Sequence, residues 1–539
     1  MVLKPNIASN ISKDASIIWE SAEGKTETYS FSELDKKSSQ FANFIKKIGI
    51  KKGDRCFIFL PRIPELYFSF IGILKIGAIA GTLFPSFGPE GIETRLKRGE
   101  VNLVVTDSEL LTRLEKTKSL PDLKHVIVVD GKTKTKKRWK EHCYNDITKE
   151  NPEFDIAKTK ASDPAIMLFT SATSYTPVAG IVLPHRALIQ QIATAELSLD
   201  LHPGDVYWCT ADPGWITGIV YGIIAPLCIG TQIVSYEGRF DAERWYNLIE
   251  KHHVSVLYTA PTAIRMLMQS KAHKKYNLSS LRHICSVGEA LNPGAIKWSK
   301  QAFGLPIYDT YWQTETGAII ISNYRGIKIK PGSMGKPVPG IKALIVDENG
   351  KALGVGKIGN LALKPGWPSM MSMIWKRPDL YKNYFKNRLY MTNDLAYKDK
   401  QGYFFFAGRK DDVIKTAGER VNPFEVELAL MKHSSTAEVA VVSKPDPLRG
   451  EIIAAFIVLK KAGDANEKLK SEIQGFIKKQ VAGHAYPRAI YFVKELPKNR
   501  SGKIVKRILK NLLRNEPAGD ISTLQNPECI KEIKKIIRD

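Results

Sequence analysis

The stretch LPIYDTYWQTETG, residues Leu305–Gly317, changes character at its midpoint. Its first half, Leu305–Thr310, has the apolar pattern of a short strand after a turn. Its second half, Tyr311–Gly317, combines two aromatic rings, an amide, hydroxyls, a carboxylate and a closing glycine. A site for a phosphate, a metal ion and a small apolar group needs this mixture, whereas a strand or helix does not. Because α/β proteins bind ligands beyond the carboxyl ends of their strands, the stretch predicts a ligand site at a strand exit, with a polar loop as the alternative.

Apolar β-type runs alternate with helix-like segments through most of the first four hundred residues. The runs Arg55–Leu60, His125–Val129 and Val254–Tyr258 predict strands, and Ser32–Ile48 carries apolar residues at helical spacing. This alternation favours mainly parallel sheets covered by helices. The sequence therefore predicts an α/β fold with a large N-terminal domain of helix-covered sheets.

The composition and the pattern of predicted elements change after residue 330. Glycine and proline become frequent and strands become short from Pro331 to Tyr403, which predicts a small β-rich subdomain at about 331–407. The polar segment Gly408–Asp412 follows an apolar strand and is a predicted hinge. Helix and strand patterns beyond it predict a small α+β domain. We expect an N-terminal domain of residues 1–409 and a mobile C-terminal domain of residues 410–539.

The composition is that of an ordinary globular protein, with 43% hydrophobic and 25% charged residues. The net charge of +25 is compatible with anionic ligands such as nucleotides, but the charge is dispersed. The one dense basic run, Lys132–Lys140, is better interpreted as a solvated loop than as a nucleic-acid patch. Six cysteines without metal spacing indicate thiols in a reducing compartment. We therefore expect no nucleic-acid partner.

Two segments bear on membranes and targeting. The N-terminal residues Met1–Asn6 have no signal-peptide apolar core. The uncharged stretch within Pro213–Tyr236 is long enough to span a bilayer, but it contains two prolines and several glycines. A buried helix of a large α/β domain is the better interpretation. The expectation is a cytoplasmic protein without membrane contact.

Two further strand ends carry residues suited to a nucleotide. The apolar run Ile166–Phe169 leads into a hydroxyl-rich turn, where hydroxyls and backbone N–H groups can cradle phosphate oxygens. The segment Ser286–Pro293 predicts a strand that turns into a helix, with Gly288 allowing a flat ligand to approach the backbone. An ordinary Ser/Thr loop and a structural turn are the respective alternatives.

Two charged segments complete the set. Asp394 lies at a predicted strand end, where its carboxylate can accept both hydroxyls of a ribose while Arg409 braces it; a surface salt bridge is the alternative. The segment Pro497–Ile504 places a glycine beside Lys503 in a mobile turn. A lysine there can deliver one positive charge to a reacting phosphate or carboxylate, and a plain basic loop is the alternative.

The joint order of these segments resembles the acyl-adenylate-forming superfamily of acyl-CoA synthetases, luciferases and peptide-synthetase adenylation domains. The resemblance covers nearly the whole chain, and within the superfamily the sequence looks most like the AMP-forming acetyl-CoA synthetases. Four further stretches support it: Trp208–Gly218, Tyr258–Arg265, Pro331–Pro337 and Gly519–Leu524.

The resemblance implies roles for individual positions. Lys503 would bridge the carboxylate and the α-phosphate, Thr314 would contact the α-phosphate, and Glu315 would hold Mg²⁺. Asp411 would be the hinge about which the small domain rotates. The nucleotide-binding residues would be Thr170, Ser171, Thr173, Gly288, Glu289, Ala290, Asp309, Thr310, Tyr311, Trp312, Gln313, Thr314, Asp394, Arg409 and Arg420. The acyl pocket would be lined by Trp215, Ile216, Thr217, Val287 and Trp312, and CoA would contact Ala417, Gly418 and Lys478.

The same resemblance implies the reaction and its partners. ATP with Mg²⁺ would activate a short-chain carboxylic acid, acetate or propionate, to acyl-AMP, and CoA would then accept the acyl group. A tryptophan at position 312 fills the space that a longer chain needs, which favours short acids. The resemblance also implies that a lysine acetyltransferase and deacetylase act on Lys503, since acetylation removes its charge. It leaves a homo-oligomer open.

The phosphate loop departs from the family pattern T-S-G-[ST]-T-G-x-P-K-G. Ala172 and Tyr175 stand where glycines belong, and the pair Val178–Ala179 replaces the lysine. Smaller departures are Ala290, where proline is usual, and Lys478, where arginine is expected. We expect acyl-AMP formation with weakened pyrophosphate handling. The alternatives are a catalytically impaired nucleotide- or acyl-binding relative with a regulatory role, and a domain that loads a carrier protein, although no carrier domain follows in this sequence.

Overall fold

The computed structural model describes residues 15–131, 138–170, 178–416, 419–481, 485–499, 502–519, 521 and 524–538. The chain divides into two compact units. The N-terminal unit takes the described residues of Met1–Ala172, Thr176–Lys342 and Pro365–Phe385, and the C-terminal unit takes those of Ala343–Lys364 and Lys386–Asp539. The predicted boundary between residues 409 and 410 concerns motion rather than compactness, and it stays a prediction.

The described residues form strands and helices along the whole chain. The strands are β1 (Ala15–Glu20), β2 (Thr26–Ser30), β3 (Arg55–Phe59), β4 (Ile79–Thr82), β5 (Leu103–Thr106), β6 (His125–Val128), β7 (Lys140–Cys143), β8 (Pro164–Phe169), β9 (Gly180–Pro184), β10 (Val206–Cys209), β11 (Gln232–Tyr236), β12 (Val256–Thr259), β13 (His283–Val287), β14 (Ile307–Tyr311), β15 (Ile321–Ser322), β16 (Lys336–Pro337), β17 (Ala343–Val346), β18 (Gly359–Leu363), β19 (Met373–Ile374), β20 (Phe385–Lys386), β21 (Leu389–Lys398), β22 (Phe404–Arg409), β23 (Ile414–Thr416), β24 (Glu419–Val421), β25 (Thr436–Asp446), β26 (Gly450–Leu459) and β27 (Ala489–Phe492). The α-helices are α1 (Phe31–Lys47), α2 (Pro64–Lys75), α3 (Pro89–Arg98), α4 (Ser108–Glu115), α5 (Ala187–Ser198), α6 (Ile216–Ile219), α7 (Ala225–Ile229), α8 (Ala242–Lys251), α9 (Pro261–Ser270), α10 (Pro293–Phe303), α11 (Pro378–Asn383), α12 (Pro423–Leu430), α13 (Glu467–Gln480), α14 (Lys506–Leu513) and α15 (Cys529–Arg538).

The N-terminal unit contains two large mixed sheets. Nine strands form the first sheet in the order β16-β15-β14-β13-β12-β10-β11-β1-β2, in which β14, β13, β12, β10, β11 and β1 pair in parallel. Eight strands form the second sheet in the order β19-β9-β8-β4-β3-β5-β6-β7. The central strands are short apolar runs because helices cover both faces of such sheets. The predicted α/β fold is confirmed.

The predicted helix at Ser32–Ile48 is confirmed as α1, and its start has a physical cause. The Ser30 hydroxyl accepts from the Glu33 N–H at 3.2 Å, and the Glu33 carboxylate accepts from the Ser30 N–H at 2.8 Å. This reciprocal capping box satisfies two of the N–H groups that a helix start leaves unpaired. Apolar residues at helical spacing then bury one face of α1, which packs against α2.

The stretch Pro213–Tyr236 is helical over only part of its length. Its helical portion, Ile216–Ile229, consists of α6, a π-helical turn at Val220–Ile224 and α7. Gly230 then adopts φ +90°, a left-handed conformation that glycine tolerates, and strand β11 follows. The expected buried helix is therefore present over Ile216–Ile229 and does not extend over the whole stretch. No helix among the described residues is long and apolar enough to cross a membrane.

The C-terminal unit is built around two smaller sheets. One takes the order β17-β18-β21-β20, with β22 also paired to β21, and confirms the predicted β-rich character of this region. The other takes the order β24-β23-β26-β25, with β27 paired to β26, and helices α12, α13 and α14 pack on it. Asn393 takes φ +61°, but β21 continues beyond this kink. Asp394 therefore lies within the strand rather than at its end.

Candidate nucleotide and acyl site

Two of the predicted segments lie side by side at one edge of the nine-stranded sheet. Strands β12, β13 and β14 are parallel, so their carboxyl ends meet there. Thr259 on β12 is the register partner of Ser286 on β13, and Val287 on β13 is the register partner of Thr310 on β14. The turn after Val287 and the polar loop after Thr310 therefore leave the sheet next to each other, where α/β folds bind ligands.

Gly288 makes the first turn and leaves its backbone open. Its φ is +93°, which a side chain would strain, and a Cβ built on it would meet no heavy atom within 4 Å. The turn therefore requires glycine here, and the approach of a flat ligand to its open backbone stays a prediction.

The carboxylate of Glu289 is held by the first turn of α9. The Thr262 hydroxyl lies 3.0 and 2.9 Å from its two oxygens, and Arg265 Nη2 donates to Oε2 at 3.2 Å. Thr262 is buried, and α9 begins directly after strand β12. The bond orients the turn that follows Gly288. The sequence analysis assigned no role to Thr262 or Arg265, although their spacing of three on a helix that starts at a strand exit places them on one face.

A buried polar network lies beneath the same edge. The Ser286 hydroxyl donates to Asp309 Oδ1 at 2.6 Å, and the Thr310 hydroxyl donates to the Ser286 carbonyl at 2.7 Å. The Tyr258 hydroxyl contacts the Thr310 hydroxyl at 2.8 Å. Burial raises the pKa of Asp309 to about 7, and hydrogen bonds from Ser286 and the Thr310 backbone oppose this rise without cancelling it. The network fixes β13 and β14 relative to each other.

The polar loop that follows β14 is anchored at its far end. Thr316 is fully buried, and its hydroxyl accepts from the Gln313 N–H at 2.9 Å. Its carbonyl accepts from Trp367 Nε1 at 2.9 Å and from the Ser369 hydroxyl at 2.7 Å. Gly317 takes φ +69°, and a Cβ there would lie 2.0 Å from the Ser369 carbonyl oxygen, so only glycine fits. Tyr311–Glu315 remain half-buried at the surface end of this anchored loop.

Glu315, the predicted magnesium ligand, is positioned by two contacts. Its Oε1 accepts from the Tyr384 hydroxyl at 2.9 Å, and its carbonyl accepts from the Met371 N–H at 2.9 Å. Thr314 is the preceding residue on the half-buried part of the loop. The sequence analysis missed Tyr384, because nothing near position 384 in the sequence connects it to position 315.

The residues of the predicted acyl pocket are connected by one helical segment. Trp215 caps the start of α6, and its ring meets that of Phe84 edge-on at 5.7 Å. Ile216 and Thr217 form the first turn of α6, and the Trp312 ring stands perpendicular to Tyr221 at 5.1 Å. The remaining predicted member, half-buried Val287, ends β13. The segment Ile216–Ile229 thus contacts Trp312 through Tyr221 and follows Trp215, and the acyl pocket itself stays a prediction.

In the C-terminal unit, Arg409 lies between two carboxylates. Its Nη1 donates to Asp394 Oδ1 at 3.1 Å and its Nε donates to Asp411 Oδ1 at 3.0 Å. Asp394 and Arg409 are register partners on β21 and β22, and Asp394 is 4% exposed. The salt bridge is therefore present with its carboxylate buried, and the role of the pair at a ribose stays a prediction.

Three other predicted residues of this unit are described in part. Lys503 is exposed, and Asn499 holds its backbone. The Asn499 N–H donates to the Lys503 carbonyl at 2.9 Å, and the Lys503 N–H donates to the Asn499 side-chain oxygen at 2.8 Å. Among the described residues its ammonium has no ion-pair partner. The Lys478 ammonium lies 4.1 Å from the centroid of the Tyr486 ring. Arg420 is the register partner of Lys415 in the β23–β24 pair.

Several predicted residues lie outside the described part of the chain. These are Ser171, Thr173, Ala417 and Gly418, together with the departures Ala172 and Tyr175. Thr170, at the end of β8, donates its N–H to the Ala179 carbonyl at 3.2 Å. Ala179 is buried and Val178 is half-buried, and Ala290 is half-buried in the turn before α10. All six cysteines are described, and four are buried, as expected of core thiols.

An open glycine turn and an anchored polar loop at neighbouring exits of parallel strands form the edge at which α/β proteins bind their ligands. Comparison with protein families gives the particular family. The family described as AMP-binding enzyme matches residues 8–375, and the AMP-binding enzyme C-terminal domain matches residues 425–503. The chain belongs to the AMP-binding enzyme family, which confirms the predicted resemblance.

Two similar proteins are acetyl-coenzyme A synthetases. The acetyl-coenzyme A synthetase of Bacillus subtilis is 49% identical over 507 residues, covering 93% of this chain and 88% of that protein. The acetyl-coenzyme A synthetase of Methanothrix thermoacetophila is 40% identical, covering 95% of this chain and 82% of that protein. The alternative of an impaired regulatory relative gains no support from these similarities.

Two solved structures share the fold over nearly the whole chain. The acyl-CoA synthetase of Brucella canis has a TM-score of 0.74 and 32% identity, covering 95% of this chain and 94% of that one. An anthranilate CoA ligase in complex with anthranoyl-AMP has a TM-score of 0.84 and 28% identity, covering 94% of this chain and 95% of that one.

Proposed function

We propose that this chain is an AMP-forming acetyl-CoA synthetase. It activates acetate with ATP and Mg²⁺ to acetyl-AMP and pyrophosphate, and it then transfers the acetyl group to CoA with release of AMP. The observation that carries the proposal is the pairing of the open Gly288 turn with the anchored loop through Glu315 at adjacent strand exits. The similarity to acetyl-coenzyme A synthetases supports the choice of acid and thiol.

The residues of this edge fit an adenine nucleotide. Gly288, Glu289 and Ala290 would lie along the adenine, since no side chain covers the Gly288 backbone. The remaining nucleotide contacts on this edge would come from the strand and loop beyond Ser286, namely Asp309, Thr310, Tyr311, Trp312, Gln313 and Thr314. Thr314 would contact the α-phosphate, because it stands on the half-buried part of a loop that is fixed at Thr316.

Glu315 fits Mg²⁺ that arrives with ATP. Mg²⁺ binds through one or two carboxylates together with substrate phosphates rather than in an all-protein cage. The described residues contain no group of three or more His, Cys, Asp or Glu side chains suited to a metal. One oriented carboxylate is what such a site requires, and the Tyr384 hydroxyl orients it. When bound, Mg²⁺ neutralises charge on the phosphates.

The chemistry follows from the leaving groups. An acetate oxygen attacks the α-phosphorus of ATP, and the bond to the β-phosphate oxygen breaks to release pyrophosphate. The CoA sulfur then attacks the acetyl carbon, and the bond to the phosphate oxygen of AMP breaks. Lys503 would bring a positive charge to the first step, because its ammonium is exposed and has no ion-pair partner among the described residues. Trp215, Ile216, Thr217, Val287 and Trp312 would enclose the methyl group.

The C-terminal unit would supply the remaining contacts. Asp394, braced by Arg409, would hold the ribose hydroxyls, and Arg420 would hold phosphates. Asp411 would act as the hinge, and it already fixes the Arg409 guanidinium through Nε. Lys478 with Ala417 and Gly418 would contact CoA. We also propose a cytoplasmic location, with acetate, ATP and CoA as its small-molecule partners.

The test is acetate-dependent pyrophosphate release by the purified full-length protein with ATP–Mg²⁺, followed by acetyl-CoA formation when CoA is added. Undetectable release together with measurable binding of AMP would refute the synthetase activity. Replacing Lys503 with alanine should abolish pyrophosphate release but leave acetyl transfer from supplied acetyl-AMP to CoA. Loss of both half-reactions to the same degree would contradict the role of Lys503 in adenylation.

The unusual phosphate loop has its own experiment. Replacing Ala172 and Tyr175 with glycine, and the pair Val178–Ala179 with one lysine, restores the family pattern. We expect faster pyrophosphate release with an unchanged preference for acetate, because the loop handles the β- and γ-phosphates. No increase would show that this loop does not limit turnover.

Lys503 is also the proposed target of an acetyltransferase and deacetylase, because its ammonium is exposed. Acetylation would remove the charge that adenylation requires. Mass spectrometry of the protein with and without an acetyl donor tests this. Modification elsewhere, with Lys503 unmodified and activity lost, would contradict it.

A further inference from the structure

Tyr221 is a fully buried residue that touches both ends of the loop after β14. Its ring stands at 89° to the Trp312 ring, with the centroids 5.1 Å apart. Its hydroxyl accepts a hydrogen bond of 2.8 Å from the N–H of Ile319, which lies seven residues after Trp312. Thr314 and Glu315 lie between these two contact points. One side chain therefore spans the base of the loop that carries both predicted catalytic groups.

The hydroxyl of Tyr221 is part of a hydrogen-bond chain with a fixed direction. The Thr194 hydroxyl has one proton, which it donates to the Gln190 carbonyl at 2.7 Å. Thr194 must therefore accept from Tyr221, at 2.8 Å. The chain runs from the Ile319 N–H through Tyr221 and Thr194 to the carbonyl on α5. Because every donor is used and every group is buried, the tyrosine is held in one orientation.

The position of Tyr221 depends on a backbone irregularity. It lies in the π-helical turn Val220–Ile224, which separates α6 from α7. Pro226 follows this turn; a proline inside a helix has no N–H to donate, and its ring clashes with the carbonyl four residues earlier. The wider π turn relieves that clash and rotates the residues before it. Such single π turns occur frequently at functional sites.

The perpendicular contact restricts Trp312 on one side. Edge-to-face ring pairs at this separation are favourable, because the positive edge of one ring meets the negative face of the other. Tyr258 also stands at 88° to the Tyr221 ring, at 5.9 Å, so Tyr221 cannot yield toward that side. Trp312 is the proposed end wall of the acyl pocket. A wall supported in this way excludes longer chains better than an unsupported ring.

We propose that Tyr221 is a positioning and specificity-determining residue with two separable contributions. Its ring supports Trp312 and so limits the acid to two or three carbons. Its hydroxyl holds the Ile319 end of the loop and so places Thr314 and Glu315. This inference rests on the proposed synthetase function, and it assigns to Tyr221 no direct contact with substrate.

Four variants separate the two contributions. Tyr221→Phe keeps the ring and removes the hydroxyl, Tyr221→Leu and Tyr221→Met remove both, and Thr194→Val removes only the partner of the hydroxyl. Removal of the ring should lower the ratio of kcat/KM for acetate to that for butyrate about tenfold, the discrimination that pocket walls supply. Tyr221→Phe and Thr194→Val should keep this ratio within about twofold while kcat with acetate falls about tenfold, since a buried group loses its partner.

Tyr246→Phe is the matched control. Tyr246 is fully buried in the same unit, and its hydroxyl donates to the Leu267 carbonyl at 3.1 Å, away from the loop. It should change neither kcat nor the acid ratio. A wild-type ratio in a folded Tyr221→Leu or Tyr221→Met protein would overturn the inference, as would equal loss of selectivity in Tyr221→Phe. Absence of acetate-dependent turnover in the wild-type protein would instead refute the proposed function.

Discussion

Arg265 donates a hydrogen bond from Nη2 to Oε2 of Glu289 at 3.2 Å, across the edge where β12 and β13 end. Thr262 shares the same carboxylate through its buried hydroxyl. The turn that would lie along the adenine is therefore held by two side chains of α9. Arg265→Ala should raise the KM for ATP about tenfold, since a charge-assisted bond to a partly buried carboxylate is lost. Initial rates at varied ATP measure it.

The KM for acetate should stay unchanged in Arg265→Ala, because Glu289 is proposed to lie on the nucleotide side of the site. Arg265→Lys should recover part of the affinity for ATP. Lys275→Ala serves as the control, since Lys275 forms an exposed pair with Glu243 in the same unit. Equal increases in both KM values would contradict a role confined to the adenine turn.

The Asp394–Arg409 pair gives a prediction about stability as well as activity. Arg409→Ala removes the 3.1 Å ion pair with the buried carboxylate of Asp394, whereas the partial exposure of Arg409 moderates the effect. We expect the C-terminal unit to lose about 2 kcal/mol of stability. Urea unfolding of the variant and the wild-type protein measures this loss. The double variant Asp394→Asn/Arg409→Ala should recover much of it, and no recovery would contradict the assignment of the loss to this ion pair.

Asp309 predicts a specific dependence of stability on pH. Burial raises its pKa in the fold to about 7 from the ordinary value of 3.8. The folded state therefore holds this proton more tightly than the unfolded chain. Its contribution is complete below pH 3.8 and is lost as the pH rises to about 7, by at most about 1.4 kcal/mol per pH unit. Asp309→Asn has no such proton to lose, so its stability relative to wild type should increase between pH 5 and pH 7 and level off above.

Ser286→Ala provides the internal comparison for this titration. The Ser286 hydroxyl stabilises the charged form of Asp309, so its removal should extend the decline in stability to higher pH. Denaturant unfolding at a series of pH values measures both variants. A constant difference between Asp309→Asn and wild type across this range would contradict the raised pKa.

Glu315 predicts the magnesium dependence of the first half-reaction. Glu315→Gln keeps the bond from Tyr384 but removes the charge, so pyrophosphate release should fall about a hundredfold and require more Mg²⁺. Tyr384→Phe should show a smaller shift in the same direction, because the carboxylate remains but loses its orienting partner. Titration of activity with Mg²⁺ measures both. An unchanged Mg²⁺ requirement in Glu315→Gln would remove Glu315 from the metal site.

The sequence predicted those parts of the site that depend on local pattern. Short apolar runs that end in polar residues predict the strand exits at Val287 and Tyr311. The turn after Val287 requires a positive φ, which explains the glycine at position 288. Parallel pairing then brings these exits together without further information. The single assignment of Asp394 to a strand end was wrong, because a strand can continue through one residue of positive φ such as Asn393.

The tertiary contacts that hold the site have no signature in the local sequence. Tyr384 is hydrogen-bonded to Glu315 although 69 positions separate them in the sequence, and Tyr221 is hydrogen-bonded to Ile319 although 98 positions separate them. The π turn at Val220–Ile224 directly precedes the helix that carries Pro226, and the apolar pattern of this stretch does not reveal it. Side chains that hold a loop from another element become visible when the fold is known, and they explain why the loop keeps its geometry.

The central claim is tested most directly by a panel of C2 to C6 carboxylic acids in an AMP-release assay with ATP, Mg²⁺ and CoA. The claim predicts the highest kcat/KM for acetate, a lower value for propionate, and a steep fall from butyrate onward, with one acetyl-CoA formed for each AMP. A higher value for hexanoate than for acetate would contradict Trp312 as the wall of a short-chain pocket, and no AMP with any acid would contradict the synthetase itself.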